Sequence, residues 1–368
     1  MFTYGYSLKE WADSGFIEKE LKYFKKFHEK YDASFVLVTY GGNEDLSLID
    51  KSQYPYLEIL PIYTITKKFK YKIINFIFSF FIPIKLKSFV SNIDLIKQNQ
   101  LLGSWVSIFT KYILSKPLYI RTGYDMYLFS KKENKSNLKK LLYFLLTKFS
   151  ISLSDAYSVT SYSDLKFLQT EFKLNDDHLY KISNWIEDNK KLEFNNRLEK
   201  NILCIGRLEY QKNFEYIIRE FANSEFTIDL VGSGSQRNYL EKLARNLNTS
   251  VNFLGQKTYS ELLDLYNKYR YYIASSLFEG NPKTTLEAMA SGNLVLVSDI
   301  ENNREIIPDG GGIFFNFEES VLNILLTNLE DIKNIKTIVE KGYSQTIKFN
   351  SLEKIVSEEM SLINILLK

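Results

Sequence analysis

The chain has 368 residues, enough for two domains of ordinary size, and its 45% hydrophobic and 25% charged content is that of a folded globular protein, not a disordered or fibrous one. One cysteine, Cys204, and two histidines, His28 and His178, exclude a disulfide framework and a zinc centre built on Cys or His. The formal charge of +3 hides an asymmetry, because residues 51–150 carry 17 basic against 4 acidic side chains.

The chain opens on a strand-like run, MFTYGY, with no signal-peptide pattern. Further apolar runs predict strands at 33–39, 56–61, 92–96 and 117–121, after the first at 1–5, with candidates at 156–160 and 179–183. Apolar residues Phe16, Ile17, Leu21, Phe24 and Phe27 recur at helical spacing and predict one helix over Leu8–Tyr31. The longest apolar stretch, Ile73 to Ile84, holds Asn75, Ser79 and Pro83 and is 12 residues long. About 20 residues are needed to span a bilayer. Segments 67–89 and 137–149 interleave lysine with aromatic residues, a pattern suited to an anionic membrane surface or to core-facing helices with a solvated lysine face. Only 8 of the 47 basic residues are arginine, so nucleic acid is not expected as a partner.

Residues 184–200 are polar and Asn-rich, as a linker would be. Beyond them the runs 201–206, 226–232, 251–255, 271–276, 294–298 and 312–315 alternate with helical patterns, which predicts a parallel doubly wound sheet. The predicted organisation is α/β, with two Rossmann-like doubly wound domains facing across a cleft. These span 1–185 and 201–350, joined by a linker at 186–200, with a last helix at 351–368 packing back on the first.

Ligands of open α/β sheets bind beyond the carboxyl ends of the strands, so the residues just after each strand are the ones to read. After 201–206 come Gly206, Arg207 and, five residues later, Lys212. Two cations at a strand-to-helix turn make an anion site suited to a diphosphate; an ion-paired surface loop is the alternative. Gly232 and Gly234 flank Ser233 at the next turn, where the backbone can approach a ligand, although any turn needs glycine. Gly255 and Gln256 end the strand 251–255 with groups able to read a nucleobase edge. The richest segment is SLFEGNPKTTLEAMASG at 276–292, in which Asn281 is suited to cap a helix and Pro282 to begin it. Gly280 and the N–H groups around Lys283, Thr284 and Thr285 then form an anion site aided by the helix dipole. Glu279 ahead of that helix and Glu287 inside it supply carboxylates for sugar hydroxyls; a local cap and a solvent-facing side chain are the alternatives.

The order GRLEYQKN, VGSG, the FEGNP turn, and Glu279 seven residues ahead of Glu287 resembles the retaining glycosyltransferases of the GT-B fold, glycosyltransferase family 4 (glycosyl transferases group 1). The resemblance covers 201–310 with specific motifs and the first half more loosely. It implies an acceptor-binding first domain, a donor-binding second domain, and sugar transfer from a nucleoside diphosphate with retained anomeric configuration. By the same resemblance Arg207 and Lys212 neutralise the diphosphate, Glu279 contacts the transferred sugar and Glu287 the ribose. No cofactor is implied; the nucleotide sugar is a substrate, with UDP taken ahead of GDP. No Asp-x-Asp pair occurs, so no metal site is expected. The first half departs from the family's pattern. Ser14 and Gly15 stand where a Gly-Gly phosphate loop is common and are assigned to donor binding, with a plain helix start as the alternative, and Arg121 follows strand 116–120 where a histidine is expected. Arg121 is assigned to acceptor or donor phosphate, with a salt bridge to Asp125 or Glu133 as the alternative. The expected activity is glycosyl transfer to a glycan or lipid-linked acceptor in surface polysaccharide or lipopolysaccharide synthesis. The expected location is cytoplasmic and peripheral on the inner face of the membrane. A non-catalytic sugar-nucleotide or glycan-binding partner, or a nucleotide-sugar epimerase, stays open.

Overall fold

The computed structural model describes residues 4–13, 15, 17–90, 92–173, 178–191 and 193–368. The chain divides into two compact units, Met1–Ser183 with Val356–Lys368, and Asn184–Ile355. Segment 184–200 is part of the second unit, where Arg197 donates to the carbonyls of Gly292 (3.1 Å) and Ser291 (2.6 Å).

Among its described residues the first unit holds two parallel sheets. Strand β1 (Phe35–Thr39) pairs with β2 (Leu57–Pro61), and β3 (Ile96–Asn99), β4 (Leu118–Arg121), β5 (Ala156–Val159) and β6 (Leu179–Lys181) pair in that order. A cavity of about 650 Å³ is lined by both β1 and β3, together with Tyr23, Phe27 and Met360. Of the predicted strand 1–5, residues 1–3 lie outside the described residues, and Tyr4–Gly5 form a turn. The Tyr4 N–H donates to Leu102 O (3.0 Å) and Tyr40 N–H to Tyr6 O (3.0 Å). The predicted helix 8–31 is two helices, Leu8–Asp13 and Ile17–Tyr31, because Gly15 sits at φ +74° and a left-handed residue cannot continue a right-handed helix. Strand β3 starts at Ile96, not at 92, since the pairing that orders it sets Ile96 opposite Leu118 and Asn99 opposite Arg121. The polar run after it is taken up internally: Gln98 is fully buried and donates to Asn99 O (2.9 Å) and Leu102 O (3.3 Å).

Two buried carboxyls follow β4 and β5. Asp125 caps helix Met126–Lys132 by accepting from Leu128 N–H (2.6 Å), and Asp164 lies in the first turn of helix Tyr162–Phe172. Asp125 Oδ2 and both carboxyl oxygens of Asp164 lack a hydrogen-bond partner. Burial, and then the neighbouring Asp125 charge, pushes Asp164 up to about 7, while burial lifts Asp125 to about 6. The folded chain therefore keeps protons that the unfolded chain releases, so this contribution to stability is present at acid pH and lost as pH rises through 6 to 7. Asp164→Asn is expected to be more stable than wild type by about 2–3 kcal/mol at pH 8 and nearly equal at pH 4. Thermal melts at the two pH values check this; the same shift at both would refute it.

The second unit is one six-stranded parallel sheet in the order β12-β11-β10-β7-β8-β9. Its strands are β7 (Leu198–Ile205), β8 (Thr227–Val231), β9 (Val251–Gly255), β10 (Tyr269–Ala274), β11 (Leu294–Ser298) and β12 (Ile313–Phe315). This is the doubly wound order, with its switch between β7 and β10. The strands form because helices cover both faces, and apolar runs such as LVLVS, buried at every position, have no polar alternation. Leu203, Tyr272 and Val295 fall in the core on one face, and Ile202, Tyr271 and Leu294 in that on the other.

Candidate functional site

The loops beyond the carboxyl ends of β7, β8 and β9 are laced by backbone bonds. Gly206 N–H donates to Val231 O (3.0 Å), Gly232 N–H to Gly255 O (2.8 Å) and Leu208 N–H to Ser233 O (2.9 Å). A Cβ on Gly232 would lie 1.9 Å from Gly206 O, and one on Gly234 2.4 Å from Leu208 O. Both glycines thus let backbone rest on backbone, a demand that precedes any ligand. Gly206 packs against the Lys212 side chain, where a Cβ would come within 3.2 Å of its Cδ and Cε.

That contact directs Lys212 toward the loop after β10, where its Nζ pairs with Glu279 Oε1. Ser276 Oγ donates to the same oxygen (2.6 Å) and Gln211 Nε2 reaches Oε2 (3.4 Å). Gln211 also donates to Phe278 O (2.8 Å) and accepts from Arg207 Nη2 (3.2 Å). Arg207, Gln211, Lys212 and Glu279 therefore form one connected array. Arg207 is exposed, whereas the side chains of Lys212 and Glu279 are 16% and 10% exposed. Ser275 Oγ ties the two loops together by donating to Lys212 O (3.0 Å), and Ser298 Oγ holds Ser276 O (2.6 Å).

Helix Lys283–Ala290 follows at once. Its cap is Pro282, one residue later than predicted. Asn281 is not the cap, because its side-chain oxygen accepts from Asn184 N–H (3.3 Å) and its carbonyl from Asn184 Nδ2 (2.9 Å). Gly280 O accepts from Asn302 Nδ2 (2.6 Å), which fixes the turn ahead of the helix. Lys283 is exposed, Thr284 Oγ1 accepts from Tyr272 OH (2.8 Å), and Thr285 is buried. Glu287 does not face solvent. It is buried and accepts from Tyr266 OH (3.2 Å). Burial, and then the Glu287 charge, pushes the Tyr266 phenol well above its ordinary range, so it remains a donor to that carboxylate. Gln256 is exposed beyond β9.

The remaining predicted residues lie in the first unit. Ser14 is outside the described residues; Gly15 is buried. Arg121 ends β4, and its Nη2 donates to Ser183 O (2.9 Å). It pairs with neither Asp125, which caps its own helix, nor Glu133, which pairs with Lys135 (3.1 Å). Its charge acts instead on a buried group of Glu359, Lys97, Tyr23 and Tyr119. Burial works to lower the Arg121 guanidinium, but Tyr119 and Glu359 outweigh it and hold it above its ordinary value. Ser276, Gln211 and Asn302, which position Glu279 and Gly280, are residues sequence reasoning passed over. Gln211 stands inside the GRLEYQKN motif, but nothing in the spacing marks it as the bridge between Arg207 and Glu279.

Residues 186–344 match the family model described as glycosyl transferases group 1. An uncharacterized glycosyltransferase of Methanocaldococcus jannaschii is 40% identical over 117 residues, 30% of each chain. The N-acetylgalactosamine-N,N'-diacetylbacillosaminyl-diphospho-undecaprenol 4-alpha-N-acetylgalactosaminyltransferase of Campylobacter jejuni is 27% identical over 57% of this chain and 61% of its own. The matches span between 23% and 61% of the length of these curated relatives. Among solved structures, Anabaena HepE in complex with UDP and glucose has a TM-score of 0.72 at 16% identity, covering 93% of this chain and 95% of that one. Sucrose-phosphate synthase from Thermosynechococcus elongatus reaches 0.78 at 17%, covering 95% and 92%. Laced strand ends, a cation pair and a buried carboxylate at a helix start thus accompany a matched family model, and the second unit belongs to the glycosyl transferases group 1 family, carried on the GT-B fold.

Proposed function

We propose that the chain transfers a glycosyl unit from a nucleoside diphosphate sugar, with UDP as the first-choice nucleotide, to a glycan or lipid-linked acceptor and with retained configuration. The observation that carries this reading is the array in which Arg207 and Lys212 stand beside Glu279 at the start of helix Lys283–Ala290. Arg207, Lys212 and the helix N–H groups neutralise the leaving diphosphate, which is electrostatic stabilisation of developing charge and needs no metal. Glu279 contacts the sugar and Glu287 the ribose. In the front-face version the anomeric C–O bond to the diphosphate breaks while the acceptor oxygen bonds on the same face, and the acceptor proton passes to the leaving phosphate. Ser14 and Gly15 are assigned to donor binding, and Arg121 to the acceptor or the donor phosphate in place of the usual histidine. Two similar proteins support this: HepE is complexed with UDP and glucose, and the Campylobacter relative is named for a diphospho-undecaprenol acceptor. A lipid-side acceptor also fits peripheral association with an anionic membrane in polysaccharide or lipopolysaccharide synthesis.

The test is a thermal-shift panel of UDP, GDP, ADP, CMP and their sugars. A ligand at 100 times its Kd stabilises by about 2.7 kcal/mol, which a melt detects readily. UDP or UDP-sugars are expected to shift the wild type and leave Arg207→Ala nearly unmoved. No shift with any nucleotide would overturn the donor assignment.

A further inference from the structure

Two helices of the first unit present the wrong face to water. Helix Lys72–Ser79 buries only Ser79, which accepts from Trp105 Nε1 (2.9 Å), and turns Ile73, Phe76, Ile77 and Phe78 outward. Together with the short helix Ile82–Leu86 and the residues flanking it, the segment shows Ile73, Ile77, Phe78, Phe81, Ile84 and Phe89 at 48–66% exposure. Helix Asn137–Leu153 repeats the inversion. Thr147, Ser150 and Ile151 are buried, while Leu138, Leu141, Leu142, Leu145 and Phe149 are exposed at helical spacing. Helix Ser104–Leu114 lies against both, since Phe80 meets Phe109 at 5.8 Å between ring centroids and Ser150 Oγ donates to Ser104 Oγ (2.7 Å). The exposed apolar groups thus belong to elements that pack side by side, and an apolar surface of this kind marks an interaction site.

The charges around it have one sign. Residues 62–90 contain Lys67, Lys68, Lys70, Lys72, Lys85 and Lys87 and no carboxylate, and residues 137–153 contain Lys139, Lys140 and Lys148 and no carboxylate. A second copy of the chain would set lysine against lysine, and lysine is depleted at protein interfaces. Anionic headgroups above an acyl layer satisfy both the lysines and the apolar side chains. Among the described residues no helix is long and apolar enough to cross a membrane.

We infer that the first unit docks on an anionic bilayer through these helices, with Phe78, Phe81, Ile84 and the Leu138–Phe149 stripe entering the headgroup–acyl boundary and Lys67, Lys68, Lys70 and Lys72 resting on lipid phosphates. The inference deepens the lipid-side acceptor of the proposed function and rests on it, but its test reads binding without turnover.

The experiment is flotation of the full chain with vesicles of phosphatidylcholine alone or with 30 mol% (roughly one lipid in three) phosphatidylglycerol, an anionic content chosen to give a strong surface potential. Wild type is expected to float with the anionic vesicles, less so at high salt. Phe78→Glu/Phe81→Glu/Ile84→Glu should weaken binding at least about tenfold, and changing the four lysines to Gln should also weaken it about tenfold and erase the preference for anionic lipid. All seven side chains lie outside the packed core, so the variants should melt like wild type and keep their nucleotide-dependent shift. Wild type that ignores anionic vesicles, or a triple-Glu variant that floats unchanged, would overturn the inference. So would a wild-type dimer in sedimentation that the triple-Glu variant abolishes while vesicles are ignored, because the face would then bind a second copy. Flotation in a chain that no nucleotide shifts would instead leave the docking face standing and sink the donor assignment.

Discussion

Arg207→Ala is expected to lower kcat/KM by two to three orders of magnitude, roughly the cost of removing one preorganised charge-stabilising donor, with an unchanged melting temperature. The unchanged stability follows from its position. Arg207 is exposed, and its side-chain bond to Gln211 Oε1 is replaceable by water. Lys212→Ala is expected to lose as much activity and to be less stable as well, by about 3 kcal/mol, because it leaves Glu279 largely buried without its cation. The double variant Lys212→Ala/Glu279→Gln separates these effects. It should regain most of the stability, since a neutral amide can still accept from Ser276 Oγ, and none of the activity. Steady-state kinetics and melts on the three variants check the set. An Arg207→Ala enzyme with wild-type kcat/KM would remove the diphosphate role from this turn, and a double variant that recovers turnover would show that Lys212 only neutralises Glu279.

The same array shows what a sequence can and cannot carry. The sheet of the second unit was legible strand by strand, because doubly buried parallel strands leave uninterrupted runs such as FTIDLVG and LVLVS. Arg207, Lys212, Glu279 and Glu287 could be picked out as chemistry-bearing residues at strand ends. Their pairing could not, since Lys212 meets a carboxylate 67 residues away through two loops. The cap was misread for a related reason. Asn281 is a good capping residue by local propensity, but Asn184, 97 residues away, engages its side chain and carbonyl first. In the first unit local pattern is the poorer guide. Continuous helical spacing conceals the left-handed Gly15, and the inward-facing Ser79 of helix Lys72–Ser79 reverses the usual reading of which face is core.

Glu359→Ala is expected to be the most destabilising single change in the first unit, by about 3–5 kcal/mol, because it leaves the half-buried Lys97 without its carboxylate and removes the negative charge that Arg121 faces. Glu359 is fully buried on the C-terminal helix, accepts from Tyr23 OH (2.6 Å) and pairs with Lys97, whose Nζ also donates to Tyr23 OH (2.6 Å). Lys97 further lies 4.7 Å from the Tyr23 ring centroid and 5.6 Å from that of Tyr119. Burial works to raise the Glu359 carboxyl, but Lys97 and Arg121 outweigh it and hold it below its ordinary value. A carboxyl depressed in the folded state contributes stability above its unfolded pKa, near 4.3, and that contribution disappears as pH falls through the lower folded value. Wild type should therefore lose stability more steeply than Glu359→Gln between about pH 5 and pH 3. Lys97→Met/Glu359→Leu should recover much of what either single change loses, since an apolar pair of similar volume can replace a buried ion pair. Chemical denaturation of the four chains across that pH range decides it. Equal pH slopes for wild type and Glu359→Gln would mean that the carboxylate is not what fastens this helix. The predicted steepness would mean that Glu359, bonded to Tyr23 336 positions away and paired with Lys97, fastens the C-terminal helix to the first unit through its charge.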